Sequence, residues 1–125
     1  MKRILLALVM VFSLFNLFGQ DNTLKTVGVD EFEEFIADTN AILLDVRTAA
    51  EHAEGFIPGT DYNIDVLEDT FTNIATETLP NDRPVALYCR SGRRSKSAAD
   101  QAVKLGFKVV ELDGGIISWK GEIER

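Results

Sequence analysis

Two short runs of uninterrupted apolar residues, Ala41-Ile42-Leu43-Leu44 and Val85-Ala86-Leu87-Tyr88, constrain the fold of this chain most. Each is too short to be a buried helix, and neither alternates apolar with polar residues as a half-exposed strand does. Such runs suit strands covered on both faces, the situation of a parallel sheet sandwiched between helices. The segments between them supply the helices. Asp30 and Glu33 read as an acidic variant of the capping box, and Phe32, Phe35 and Ile36 follow at helical spacing as far as Asp38. Ala98, Ala99, Ala102 and Leu105 make one apolar face of a second helix, from about Ser95 to Leu105 and closed by Gly106. Thr48–Glu54 is a short helical segment, and Leu67–Leu79 a weaker helical pattern ended by Pro80–Pro84. Further strands are expected at Thr26-Val27 (an edge strand), Tyr62–Ile64 and Val109–Leu112. Gly114-Gly115 should lead into a last short helix containing Trp119. Strands alternating with helices define an α/β fold with a mostly parallel sheet flanked by helices.

The segment after Val85–Tyr88 carries the chemistry. Cys89 is the single cysteine of the chain, and Arg90, Arg93, Arg94 and Lys96 follow within seven residues with no acid among them. A thiol in a cationic turn, between a buried strand and a helix N-terminus, points to an activated nucleophile facing an anion. A free cysteine titrates near ~8.5, and such surroundings lower it to ~3.5–7.5. The expected state of Cys89 at neutral pH is therefore a thiolate. In α/β sheets ligands bind beyond the carboxyl ends of the strands. Asp45 and Arg47 end another strand, so they either support the Cys89 loop or form a structural salt bridge, the reading preferred here.

The first 19 residues stand apart. Met1-Lys2-Arg3 is a short positive start, Ile4 to Phe18 is apolar apart from Ser13 and Asn16, and Gly19 precedes the polar Gln20. That is the layout of a secretory signal peptide cleaved after Gly19, leaving 20–125 as one domain and placing it in the periplasm or outside the cell. An uncleaved anchor or a core helix are the other readings, but the stretch is short of the ~20 residues a spanning helix needs. Without Lys2 and Arg3 the chain has 11 basic and 20 acidic residues, a net charge of −9. So acidic a surface argues against nucleic acid and against stable membrane association after cleavage. It also makes the Cys89 turn a local anion site. In an oxidising compartment an unpaired cysteine is a free thiol, an intermolecular partner or an inert buried residue.

Taken together, Leu44-Asp45-Val46-Arg47, Glu51, Gly55-Phe56-Ile57-Pro58-Gly59, Asn63-Ile64, the Cys89 loop and Asp113-Gly114-Gly115 through Trp119 resemble, in order, the rhodanese domain. The resemblance spans about Leu24 to Lys120. It implies a central five-stranded parallel sheet and a six-residue active-site loop, here Cys89 to Arg94. It further implies that Cys89 takes a sulfane sulfur as a persulfide and passes it to cyanide or a thiol, as a thiosulfate:cyanide-type sulfurtransferase does. The amides of Arg90, Ser91, Gly92, Arg93 and Arg94 would then cradle the persulfide, and Arg90, Arg93 and Arg94 would attract a thiosulfate-like donor. No cofactor is implied. Two positions depart from the family turn Gly-His-Ile-Pro-Gly-Ala, namely Phe56 for the histidine and Thr60 for the alanine. The one histidine, His52, is expected to be a solvated surface residue, which leaves little support for a Cys-His general base. Trp119 is expected to pack. Asp65, Glu68 and Asp69 read as a solvated face without metal-ligand spacing.

Two alternatives remain. A cysteine-type phosphatase or arsenate reductase needs an arginine six positions after the cysteine, and that position is Ser95, with Arg94 one residue early. A non-catalytic sulfane-sulfur carrier would carry the same loop.

Overall fold

The computed structural model describes residues 23–125, so the signal-peptide expectation lies outside the described residues. Five strands form the sheet: β1 (Leu24–Val27), β2 (Ile42–Asp45), β3 (Tyr62–Asn63), β4 (Val85–Tyr88) and β5 (Val109–Leu112). Their order is β1-β5-β4-β2-β3, and every pairing is parallel. The helices are α1 (Val29–Asp38), α2 (Ala49–Glu54), α3 (Phe71–Thr78) and α4 (Arg93–Lys104), followed by a 3₁₀ turn, Ile116–Ser118, which ends just before Trp119. The five-stranded parallel sheet flanked by helices agrees with the expected fold.

All four residues of β2, of β4 and of β5 are buried, which is why Ile42-Leu43-Leu44 and Val85–Tyr88 read as continuous apolar runs. Side chains still alternate between the two faces. Ile42, Leu44, Val85, Leu87 and Val109 join Phe71, Ala75, Ala98 and Ala99 in one core, under α3 and α4. Leu43, Ala86, Tyr88, Val110 and Leu112 join Phe32 and Phe35 in the other, under α1. The buried face of α4 is Ser95, Ala98, Ala99 and Ala102, small residues that let the helix lie close on the sheet. Leu105, expected on that face, is exposed at the helix end.

Two helix starts differ from expectation. The N-cap of α1 is Gly28, with no side-chain cap, and Asp30 already lies inside the first turn. Asp30 and Glu31 there favour the helix dipole rather than closing a capping box. The capping box forms instead on α2, where the Thr48 side chain accepts from the Glu51 amide and Glu51 reaches back to the Thr48 amide. Helix α4 starts two residues early, at Arg93, because Gly92 takes φ +97°, a left-handed conformation that suits glycine.

From β2 the chain moves outward to its neighbour β3, and from β4 to its neighbour β5 on the other side. The adjacent strands β2 and β4 thus send their connections in opposite directions. Their carboxyl ends make a topological switch point, where open α/β sheets place ligands. Asp45 lies at one of these ends and Cys89 just beyond the other.

Candidate active site

The Cys89 side chain ends up on the α4 face of the sheet and the residue is 1% exposed. The Gly92 amide donates to its Sγ at 3.0 Å. Burial alone would push the thiol up. The Ser95 hydroxyl and the amides of Ser95, Gly92 and Ser91 together outweigh it and leave the thiol below its ordinary value. The direction is the one expected of an activated cysteine. Ser95, just beyond the six-residue loop, thus contributes to lowering the thiol, a role the sequence does not signal.

The loop is held from behind by backbone. The amides of Ile116 and Ile117 donate to the carbonyls of Cys89 (2.8 Å) and Arg90 (3.2 Å). Gly115, at φ +66°, lies so close that a Cβ there would stand 2.4 Å from the Arg90 carbonyl oxygen and 2.7 Å from that of Cys89. This close approach is the physical role of Gly115. Trp119 packs at the margin of the α1-side core and donates from its indole to the Glu122 carbonyl, a packing role as expected.

The cations of the loop divide into two kinds. Arg90, Arg93 and Lys96 are exposed, as is the neutral Ser91. Arg94 instead makes a two-pronged ion pair with Glu51, Nη1 to Oε1 at 2.7 Å and Nη2 to Oε2 at 2.8 Å. That pair holds the Glu51 carboxyl at about 2, chiefly through Arg94. Arg94 therefore braces the loop against α2. Arg90 and Arg93 remain free of such a pair among the contacts described. With no acid in the first turn of α4, two arginines sit at the positive end of its dipole. That arrangement is unfavourable by itself and is relieved by an anion.

Asp45 and Arg47 form the buried salt bridge favoured from sequence, 2.7 Å between Nη2 and Oδ2. Arg47 also donates to the carbonyls of Glu51 (3.3 Å) and Gly55 (2.6 Å), which ties down the C-terminal end of α2. The pair thus supports the loop indirectly, through α2 and Glu51. His52 is not the solvated residue expected. Its Nδ1 lies 2.9 Å from Asp45 Oδ2, and its ring stacks on Phe56 with centroids 4.3 Å apart. Thr60 explains its own departure: its hydroxyl donates to the Ile57 carbonyl at 2.6 Å and meets the Tyr88 hydroxyl at 2.8 Å, pinning the turn to β4. Burial, with the Asp45 charge next, pushes the Tyr88 phenol up to about 12, so it stays neutral. Asp65 accepts from the Leu67 amide in a turn, while Glu68 and Asp69 are exposed. Among the described residues no His, Cys, Asp or Glu cluster is arranged to hold a metal ion, and no helix is long and apolar enough to cross a membrane.

The chain is thus a parallel α/β sheet that presents a hydrogen-bonded cysteine from a cationic loop at its switch point. The model of the rhodanese-like domain matches residues 28–122. The chain belongs to the rhodanese-like domain family. It is 39% identical over 95 residues to a protein of Allochromatium vinosum named sulfurtransferase, covering 74% of this chain and 85% of that one. It is 37% identical over 92 residues to the putative sulfurtransferase YtwF of Bacillus subtilis, covering 72% and 84%. The crystal structure of a rhodanese-like domain protein from Staphylococcus aureus superimposes with a TM-score of 0.68 at 25% identity, covering 80% of this chain and 96% of that one.

Proposed function

We propose that this protein is a sulfurtransferase that carries a sulfane sulfur as a persulfide on Cys89, taking it from a small sulfur-containing anion such as thiosulfate and giving it to a thiol or cyanide. The observation that carries the reading is the buried sulfur of Cys89, which accepts from the Gly92 amide at 3.0 Å at the start of α4 and whose thiol is lowered from its ordinary value. The names of its relatives agree with it.

In the first step the Cys89 thiolate attacks the outer sulfur of the donor. A bond forms between the two sulfurs, the donor's S–S bond breaks, and sulfite leaves with the electron pair when the donor is thiosulfate. The amides that stabilise the thiolate are placed for the charge of the persulfide. Arg90 and Arg93, exposed at the helix N-terminus, supply the positive field that draws the anion in and are the donor-binding cations of this reading. In the second step the acceptor attacks the outer sulfur and Cys89 regains its electron pair as thiolate. Ser95 stands where a phosphatase would place its arginine, and Arg94 is turned to Glu51, so the loop offers no forked cation for a phosphoryl group.

Treatment of the protein with thiosulfate, followed by intact-mass measurement, is expected to add one sulfur, about 32 Da, reversed by cyanide or dithiothreitol and absent in Cys89→Ser. Thiocyanate production over many turnovers assigns an enzyme. One equivalent of bound sulfur without turnover assigns a carrier. Hydrolysis of an aryl phosphate at useful rates overturns both.

A further inference from the structure

A cleft of about 300 Å³ opens beside the active-site loop, lined by Arg90, Ile116 and Ile117 and by Glu54, Gly55 and Ile123. Backbone contacts fix both groups of residues. The Ile116 and Ile117 amides donate to the carbonyls of Cys89 and Arg90, which sets the 3₁₀ turn against the loop. The segment carrying Ile123 pairs with the turn after α2, where the Phe56 and Glu124 amides each donate to the other's carbonyl at 2.9 Å. Ile123 then lies on Gly55. A Cβ at that position would stand 2.7 Å from its Cγ2, so a residue without one leaves the isoleucine its place.

Ile117 is 64% exposed and Ile123 38%, so neither serves mainly to fill the core. Two exposed isoleucines at one cleft beside a nucleophile mark a surface that meets an apolar group. Thiosulfate has no apolar part and cyanide has no stem, so this surface fits neither small reactant. The charges narrow the occupant further. Arg47 is paired with Asp45 and Glu51 with Arg94. Arg90, the residue after the nucleophile, is exposed and has no ion pair among the described contacts, which leaves its charge for an anionic group. Glu54 is exposed as well and opposes an occupant with several negative charges.

We propose that this cleft binds the sulfur acceptor, and that the acceptor is an aliphatic thiol bearing one carboxylate. The stem lies on Ile117 and Ile123, and the carboxylate pairs with Arg90. The inference rests on the sulfur-transfer reading and names the acceptor of that same site. Arg90 serves both half-reactions without conflict, because sulfite has left before the acceptor enters. The acceptor thiol gives its proton to solvent, and its thiolate attacks the outer sulfur of the Cys89 persulfide. A bond forms between the acceptor sulfur and the outer sulfur. The bond from the outer sulfur to Cys89 Sγ breaks, and its electron pair returns to Cys89 as thiolate. The product is the persulfide of the acceptor. Ile117 and Ile123 touch the stem and no reacting atom, so they decide which thiol is taken and not how the sulfur moves.

The test follows the second half-reaction alone. Cys89 is loaded with thiosulfate, excess donor is removed, and loss of the bound sulfur is measured by intact mass against acceptor concentration. The acceptors are 6-mercaptohexanoate, 3-mercaptopropionate, 6-mercaptohexanol and cyanide. Full burial of a methylene is worth about fourfold in affinity, and half of that free energy on an open wall gives about twofold. The hexanoate should therefore half-saturate at a concentration about eightfold below the propionate. An exposed ion pair with Arg90 should favour the hexanoate over the hexanol by about threefold. Ile117→Ser combined with Ile123→Ser should bring hexanoate and propionate within about twofold of each other, while loading by thiosulfate and discharge by cyanide stay as in the wild type. Normal loading shows that the variant is folded; should it not load, Ile117→Ser alone takes its place, with a reduced preference expected. A wild type indifferent to chain length, a preference unchanged in the variant, or an equal slowing of cyanide discharge overturns the cleft. Equal values for acid and alcohol overturn the pairing with Arg90. A wild type that gains no sulfur from thiosulfate sinks the sulfur-transfer reading, whereas normal loading and cyanide discharge without a chain-length preference sink only the acceptor cleft.

Discussion

Replacing Glu51 by glutamine tests how the active-site loop is anchored. Glu51 serves two elements. Its Oε1 accepts from the Thr48 amide and hydroxyl, closing the cap of α2, and the carboxylate also takes both prongs of Arg94 from the loop. Glutamine retains the capping geometry, so the substitution isolates the ion pair. The Glu51 carboxyl is held at about 2 instead of its ordinary 4.5, chiefly by Arg94. At about 1.4 kcal/mol per unit this depression corresponds to about 3 kcal/mol at most. The two side chains are 23% and 26% exposed. Solvent screening and the share owed to Thr48 reduce the expected loss in Glu51→Gln to about 1–2 kcal/mol at pH 7. The sign follows from the depressed folded-state value. The contribution is complete above the unfolded value of about 4.5 and disappears as pH falls through about 2. The difference between wild type and variant should therefore shrink from pH 7 to pH 3 and vanish in stronger acid. Urea unfolding followed by the fluorescence of Trp119, the one tryptophan, measures it. A variant as stable as wild type at pH 7, or a deficit equal at pH 7 and pH 3, would refute the reasoning.

Arg47→Met leaves the fully buried Asp45 without its cation and should cost about 3–5 kcal/mol in urea unfolding, at the low end because His52 still meets Asp45; a loss under about 1 kcal/mol contradicts a buried structural pair. Gly115→Ala drives a Cβ against the carbonyls of Arg90 and Cys89 and should cost about 2–4 kcal/mol. It should also slow alkylation of Cys89, since the only relief is to move the loop; an unchanged rate would show that the two turns are not in contact.

The strands are legible because parallel strands buried on both faces are largely apolar, as Ile42-Leu43-Leu44 of β2 and all of β4 are. The same property concealed Glu111. With no alternation expected in β5, nothing in Val-Val-Glu-Leu tells which face the acid occupies or that it meets Ser95 and Thr26. The start of α4 at Arg93 is not legible from spacing, because Gly92 begins the helix from a left-handed conformation. His52 reads from sequence as a surface residue because its partner, Asp45, precedes the helix and is buried below it.

By itself the sequence determined the layer architecture, the position of Cys89 at a strand end and the concentration of cations after it. These follow from local composition and from the periodicity that burial imposes on a short segment. Only the tertiary structure decided how those cations are used. Arg94 is spent on Glu51, 43 residues earlier, while Arg90 and Arg93 stay in solvent. It also decided that a serine just beyond the loop donates to a buried acid on β5. Pairings of this kind depend on strand order and on how a helix is rotated over the sheet, and long-range packing sets both.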